Sequence, residues 1–200
     1  MKKLFAVLIF SLLPALSCFA QFDVGIGSDL AIRTGVSEST LMSLNLGGYM
    51  YPQDRWYGFY RPVSISYGTT DIKNNFQFLA DFGLGFGTRL ELNEESSFRF
   101  GLGTVFTYDM IKDSTVSADP VSTVWLGFSL DAHYQYEPFA DEAVSLALCV
   151  GTRFQYSPFR LYSQNADLAG NQLLLIKPYA GITITFDTSI DRYTMNGPGL

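Results

Sequence analysis

Ser129, Asp131 and His133 are of the residue types that form a hydrolytic triad, and they lie two residues apart. Such a triad needs a histidine base hydrogen-bonded to the serine nucleophile and an acid that orients the base. Residues two apart on a β-strand share a face but are separated by roughly 6.5 Å. We therefore expect no triad, no catalytic residue and no enzymatic activity, and interpret the three side chains as part of a polar interior.

Other site chemistries find little support in the sequence. His133 and Cys149 are far apart, without metal-ligand spacing, so we expect no metal and no cofactor. The run Gly83-Leu84-Gly85-Phe86-Gly87 superficially resembles a nucleotide-binding loop, but it continues a strand pattern instead of opening a helix. The chain has 19 acidic and 13 basic residues, a net charge of −6, and no basic patch for nucleic acid.

The first twenty residues have the pattern of a secretory signal peptide. Lys2 and Lys3 precede an apolar stretch at 4–16, and Cys18-Phe19-Ala20 provides small residues for cleavage after Ala20. Cleavage would lower the net charge to −8, because the basic count falls from 13 to 11. It would also leave Cys149 as the only cysteine, with no intramolecular disulfide. The alternative is cleavage before Cys18 and lipidation of that residue.

Apolar and polar residues alternate along most of the remaining chain. In segment 76–92 the even positions are almost all apolar, whereas the odd positions are polar, charged or glycine. This period of two indicates a β-strand with one apolar face. The pattern predicts eight strands, at 22–32, 42–51, 56–68, 76–92, 98–108, 124–136, 144–156 and 174–186. Arg61-Pro62 and Pro178 interrupt it and predict local irregularities.

The connections alternate between short turns and equal or longer loops, which is the plan of a membrane β-barrel. We therefore predict an all-β fold, a single closed antiparallel up-and-down transmembrane β-barrel of eight strands at 21–187. Residues 188–200 would form a short periplasmic tail. A soluble lipocalin-like barrel has the same alternation with its faces reversed. The residue composition of the two faces must therefore distinguish a membrane barrel from a soluble one.

The polar face favours a narrow lumen because glycines and nearly balanced charges share it. The glycines are Gly25, Gly27, Gly47, Gly83, Gly85, Gly87, Gly101, Gly103, Gly127, Gly151 and Gly181. With His133, the predicted lumen charge network comprises Asp23, Asp29, Arg33, Asp81, Arg89, Glu91, Arg99, Asp109, Asp131, Arg153 and Lys177. If 93–97 is a turn, Glu91 lies beside Arg99 and Gly87 beside Gly103.

The opposite face carries almost no charge, as a lipid-facing surface requires. Only Arg61, in the irregular third strand, falls on it. Tyrosines cluster near the strand ends, where a membrane barrel has aromatic girdles. They are Tyr51, Tyr57, Tyr108, Tyr134, Tyr136 and Tyr156.

The last strand carries the most specific signal. Tyr179, Gly181, Ile184 and Phe186 resemble the terminal signal that the barrel-assembly machinery reads. With the strand plan, this makes the chain similar to the small eight-stranded outer-membrane barrels, the OmpA, OmpX and OmpW group. The resemblance implies assembly by that machinery, outer-membrane lipid as surroundings, and both termini in the periplasm. In that group the terminal aromatic is usually the final residue, whereas here a tail follows Phe186.

An eight-stranded barrel is just wide enough to be filled by its own side chains. We therefore expect a sealed, non-enzymatic monomer with a structural or surface-interaction role. A narrow channel or a binding barrel for small molecules, including apolar ones, is the alternative. A soluble periplasmic binding barrel and a lipid A-modifying enzyme are less favoured.

Overall fold

The computed structural model describes residues 21–33, 38–53, 56–69, 76–112, 119–138, 144–165 and 169–186. The predicted signal peptide, with Cys18 and the cleavage site at Ala20, lies outside these residues, as does the tail at 188–200. The side chains of Arg33, Tyr51 and Phe186 also lie outside the described part. Within these ranges no helix has the length and apolar character needed to cross a membrane.

Eight antiparallel strands form a closed ring, in which each strand pairs with its neighbours in sequence and the first pairs with the last. This confirms the predicted architecture, and several strands extend further than predicted. The strands are β1 (Gln21–Arg33), β2 (Glu38–Gln53), β3 (Trp56–Thr69), β4 (Phe76–Asn93), β5 (Ser96–Lys112), β6 (Val121–Tyr136), β7 (Val144–Ser163) and β8 (Leu173–Phe186).

The two ends of the barrel differ in their connections. We call the end that carries connections 54–55, 94–95 and 137–143 the short-turn end. The opposite end, with connections 34–37, 70–75, 113–120 and 164–172, is the long-loop end.

Alternation along each strand separates a polar inside from an apolar outside. In β4, Gln77 and Asp81 are buried, whereas Leu84 is half-exposed and Phe86 is 64% exposed. Successive side chains of a strand point to opposite faces, so the odd residues of β4 line the interior. The arrangement is the reverse of a water-soluble barrel, because the large apolar side chains lie on the outer surface.

An extra residue in β3 corrects two predictions. The pairing of β3 shifts between Arg61 and Ser64 towards β4, at the position where Arg61-Pro62 predicted an irregularity. Because the extra residue reverses the alternation, Tyr57 and Arg61 point inward together with Ser64. Placing Arg61 on the lipid face was therefore wrong, and so was placing Tyr57 in an aromatic girdle.

The β4–β5 hairpin is tighter than predicted. Glu94 and Glu95 alone form the turn, and Asn93 pairs with Ser96. Asn93 Oδ1 accepts hydrogen bonds from Glu95 N at 3.0 Å and Ser96 Oγ at 2.7 Å, which fixes the turn. The shorter turn moves the predicted register by one residue, and an irregularity in the pairing between Glu91 and Asn93 moves it by one more, so the prediction was wrong by two residues.

In the observed register, Arg89 pairs with Arg99, Glu91 with Ser97 and Gly87 with Gly101. Glu91 therefore does not lie beside Arg99.

Pro178 interrupts a ladder without shifting it. The pairing of β8 with β1 skips Lys177 and Pro178 and resumes at Ile176 in the same register. Proline has no N–H to donate, so the missing rungs are its expected effect.

Candidate functional site

Asp131 is the centre of the first of two ionic clusters in the barrel interior. Its Oδ2 lies 2.5 Å from Arg61 Nη2 and 3.1 Å from Arg153 Nε. Its Oδ1 lies 3.0 Å from His133 Nδ1 and accepts a hydrogen bond from Tyr179 Oη at 3.1 Å. All five side chains are buried. A buried carboxylate needs paired charges and hydrogen bonds; here both arginines contact Oδ2, and Oδ1 is satisfied by hydrogen bonds.

Lys177 is the centre of the second cluster, nearer the long-loop end. Its Nζ lies 3.0 Å from Asp29 Oδ2 and forms a shorter contact with Asp81 Oδ2. Ser66 Oγ donates to Asp29 at 2.5 Å, and Gln155 Nε2 donates to Asp81 at 3.4 Å. One buried cation therefore neutralises part of the charge of two carboxylates, while neutral groups satisfy the remaining oxygens.

Asn45 and Ser64 connect the two clusters. Ser64 Oγ donates to Asn45 Oδ1 at 2.6 Å, and Arg153 Nη1 donates to the same oxygen at 3.4 Å. Lys177 Nζ lies 3.4 Å from Ser64 Oγ. The connected network crosses the interior from β6 to β3 and from β8 to β4, so polar side chains fill the middle of the lumen.

An apolar cluster, which we call the plug, closes the lumen at the long-loop end. Its members are Ala31, Leu41, Leu79, Trp125, Ala169, Leu173 and Leu175, all almost completely buried. Ala169 belongs to the β7–β8 connection, where Arg160 Nη1 donates to Gly170 O at 2.7 Å. Gly170 has a φ of 71°, a conformation that favours glycine. Ala169 of this connection therefore packs into the mouth of the barrel.

Aromatic rings fill the lumen at the short-turn end. Tyr49 and Tyr57 pack edge to face with ring centroids 5.4 Å apart, and Phe59 packs beside Tyr57. The Arg99 guanidinium lies 5.0 Å from the Tyr49 ring centroid and 6.0 Å from that of Tyr57, a cation–π arrangement.

The interior glycines of β4 and β5 make room for these rings. A Cβ at Gly85 or Gly103 would overlap the Phe59 ring, and a Cβ at Gly87 would overlap Tyr57. The space beside Gly85 and Gly87 is therefore occupied.

The structure brings together part of the predicted charge network. Asp29, Asp81 and Lys177 form one cluster, and Asp131, His133 and Arg153 belong to the other.

The remaining predicted members lie apart from these clusters. Buried Asp109 accepts from Gln77 Nε2 at 3.2 Å, and half-buried Asp23 accepts from Thr183 Oγ1 at 2.6 Å. Arg99 packs on tyrosines, as described above. Arg89 Nε lies 3.9 Å from Glu91 Oε1 near the strand end, where the Glu91 side chain is 68% exposed, so Glu91 is not part of a buried network.

Sequence reasoning missed Arg61 as a member of the Asp131 cluster. The signal in the sequence was the dipeptide Arg61-Pro62, which predicted an irregularity. One extra residue at that point places all earlier residues of β3 on the face opposite to the one that simple alternation predicts. The aromatic filling by Tyr57 and Phe59 was missed for the same reason.

Asp131 and His133 are closer than their spacing along the strand predicted. Their side chains lean together and reach 3.0 Å, so the conclusion that they lie too far apart to hydrogen-bond was wrong for this pair. His133 Nε2, however, has no hydrogen-bond partner among the described residues. The relay from histidine to serine is therefore absent in this structure.

Two further features bear on site chemistry. Among the described residues no group of His, Cys, Asp and Glu side chains could hold a metal ion. An interior cavity beside Asp23, Cys149 and Arg153 measures about 10 Å³. That is space for roughly one water molecule.

The residues predicted as an assembly signal have local structural roles. Tyr179 points into the lumen towards Asp131, and a Cβ at Gly181 would overlap the backbone of β1. Ile184 is half-buried. Recognition by the assembly machinery stays a prediction.

No protein-family model matches the sequence, and no curated protein sequence matches it. Solved structures do match. Neisserial surface protein A (NspA) has a TM-score of 0.62 at 10% identity, over 83% of this chain and 96% of NspA. Ail, the attachment invasion locus protein of Yersinia pestis, has a TM-score of 0.49 at 12% identity, over 82% of this chain and 99% of Ail.

The TM-score of 0.62 to NspA indicates a similar fold, and at 10% identity the similarity is limited to the fold. It spans most of this chain and nearly all of NspA, so one fold accounts for both. Together with the closed ring of eight antiparallel strands, it confirms the architecture that the sequence resemblance implied. The chain has the fold of the small eight-stranded outer-membrane β-barrels, of the OmpA and OmpX type.

Proposed function

We propose that the protein is a sealed barrel of the bacterial outer membrane with a structural or surface-interaction role and no enzymatic activity. The outer surface supports the membrane location, because large apolar side chains such as Ile26, Met42 and Leu148 are exposed on it. Water-soluble monomers rarely expose a continuous apolar surface of this size. Lipid is the solvent in which such a surface is stable.

The filled interior is the observation that best supports a sealed barrel. The plug closes one end, the two ionic clusters occupy the middle, and Tyr49, Tyr57 and Phe59 fill the other end. Described side chains thus occupy all three levels of the interior, which supports a barrel that acts through its outer surface and its loops. NspA, by its name, is a surface protein, which agrees with such a role.

Planar-bilayer recording tests the sealed interior. We expect no steady single-channel current from purified, folded protein, and a reproducible unitary conductance would contradict the proposal. Folding is verified by a heat-dependent shift in gel migration. Detergent phase partition tests the membrane location, and recovery wholly in the aqueous phase would exclude it.

A binding barrel for small molecules is the second candidate. In the part of the chain that the structure describes, the observation in its favour is the interior cavity beside Asp23 and Cys149, whose volume of about 10 Å³ is too small for an organic ligand. A lipocalin-like role fits less well, since its ligand cavity would need an apolar and open interior, whereas the middle of this interior is ionic and both ends are filled.

A lipid A-modifying enzyme would need its base accessible to lipid. His133 is buried in the lumen, and its Nδ1 forms a hydrogen bond with Asp131. We expect His133→Ala to leave the lipid A acylation pattern unchanged. As partners we propose the surrounding outer-membrane lipid and, during assembly, the barrel-assembly machinery, with a monomer as the folded form.

A further inference from the structure

The outer surface contains a groove of about 190 Å³ near the short-turn end. Thr88 in β4 lies between Trp56 of β3 and Phe100 of β5 in the sheet. Because threonine is much shorter than these neighbours, the surface is depressed at Thr88. Phe86 and Leu102 raise its rim, and Leu130 of β6 closes it towards the middle of the barrel.

The groove is apolar and lies on the exposed face. Trp56, Phe86 and Leu102 are each more than half exposed. None of the eight lining residues is charged. Trp56 is the first residue of β3, and tryptophan concentrates at the level of lipid headgroups. A hydrocarbon chain whose headgroup lies near Trp56 would run along the groove towards Leu130.

We propose that this groove binds one acyl chain of a phospholipid from the leaflet nearest the short turns. The inference rests on the proposed membrane location. A bilayer offers acyl chains at every point of the outer surface, and a depression one side chain deep fits a single flexible chain. A second copy of the barrel fits less well, because eight lining residues are few compared with the roughly 20–30 residues per side of a standard protein interface.

Thr88→Phe tests the proposal by filling the floor of the groove. Thr104→Phe is the matched control, since Thr104 is exposed on the outer face of β5, opposite Leu84 and outside the groove. Each folded protein is titrated in detergent with palmitoyl-oleoyl phosphatidylethanolamine, and bound lipid is counted by native mass spectrometry.

We expect the wild type and Thr104→Phe to retain one lipid with equal affinity. Thr88→Phe should bind it about tenfold more weakly, the equivalent of about 1.4 kcal/mol. Equal binding by all three proteins, or equal loss in both variants, would overturn the groove as a lipid site. A dimer in the wild type that Thr88→Phe dissociates would assign the groove to a second copy and overturn the lipid proposal.

The heat-dependent gel shift and the detergent partition of the wild type separate this test from that of the proposed function. A protein that partitions into detergent yet binds no lipid in the groove would refute the groove alone. A protein that stays in the aqueous phase would refute the membrane location and, with it, the groove.

Discussion

Asp131 and Arg61 form a buried ion pair across the barrel, with Oδ2 and Nη2 2.5 Å apart. They belong to β6 and β3, which do not pair with one another in the ring. The contact therefore braces opposite walls. Removing one partner of a buried pair leaves the other charge uncompensated, which makes such contacts sensitive to single substitutions.

Arg61→Met should lower the free energy of unfolding by about 3 kcal/mol, because Asp131 then keeps only Arg153, His133 and the Tyr179 hydroxyl. Urea titration in lipid vesicles, read from the heat-sensitive gel band, measures the loss. The matched control Arg89→Met should change it by less than about 1 kcal/mol, since the Arg89–Glu91 contact is long and partly exposed. If the stability losses of Arg61→Met and Asp131→Asn simply add in the double variant, the two residues are not coupled.

Lys177→Met should destabilise the barrel by about 3–5 kcal/mol, because Asp29 and Asp81 would lose the cation that they share. Adding Asp81→Asn should recover part of the loss, since one of the two carboxylate charges is then gone. The same urea titration measures both variants. Lys112→Met, at the end of β5, is the control and should lie within about 0.5 kcal/mol of the wild type. A Lys177→Met protein as stable as this control would refute the cluster.

Gly103→Ala should destabilise the barrel by about 1–3 kcal/mol, because its Cβ would lie 2.7 Å from the Phe59 ring and 2.5 Å from Leu84 O. Gly83→Ala is the matched control on the paired strand. Its Cβ would meet nothing closer than 3.5 Å, so we expect a change within about 0.5 kcal/mol. Equal tolerance of both alanines in urea titration would mean that the aromatic filling is loose.

Trp125→Ala should cost about 3–5 kcal/mol of stability, because it empties the largest position of the plug. Trp56→Ala removes the same side chain from the outer surface, where lipid can fill the space, and should cost less than half as much. The ratio of the two losses is the readout. Similar losses would contradict a packed plug at the long-loop end.

The strand pattern was predictable because alternation in segments such as 76–92 and 98–108 depends on local side-chain direction alone. The turn and register of the β4–β5 hairpin were less predictable. Asn93 caps a two-residue turn through its own side chain, a contact that a count of polar residues does not distinguish from a longer loop. The turn length and the pairing irregularity between Glu91 and Asn93 each shift the cross-strand pairs by one residue, and together they separate Glu91 from Arg99.

The interior was predictable in composition and not in its pairing. The sequence places Asp29, Asp81, Asp131, Arg153 and Lys177 on inward faces, but partners on opposite walls depend on how the ring closes. Arg61 was assigned to the wrong face, since a bulge at Arg61-Pro62 could be expected without knowing which strand carried the extra residue.

The closed ring has a consequence for the order of assembly. The contact between Thr183 and Asp23 joins residues 160 positions apart, and that between Arg153 and Asn45 joins residues 108 apart. The contacts of Thr183 with Asp23 and of Lys177 with Asp29 form only once the first and last strands have met, so a partial sheet leaves Lys177 without one of its two carboxylates. Incomplete barrels would therefore expose ionic side chains to the bilayer. The charges that brace the finished protein thus penalise intermediates in which β1 and β8 have not met, which favours cooperative closure of the ring.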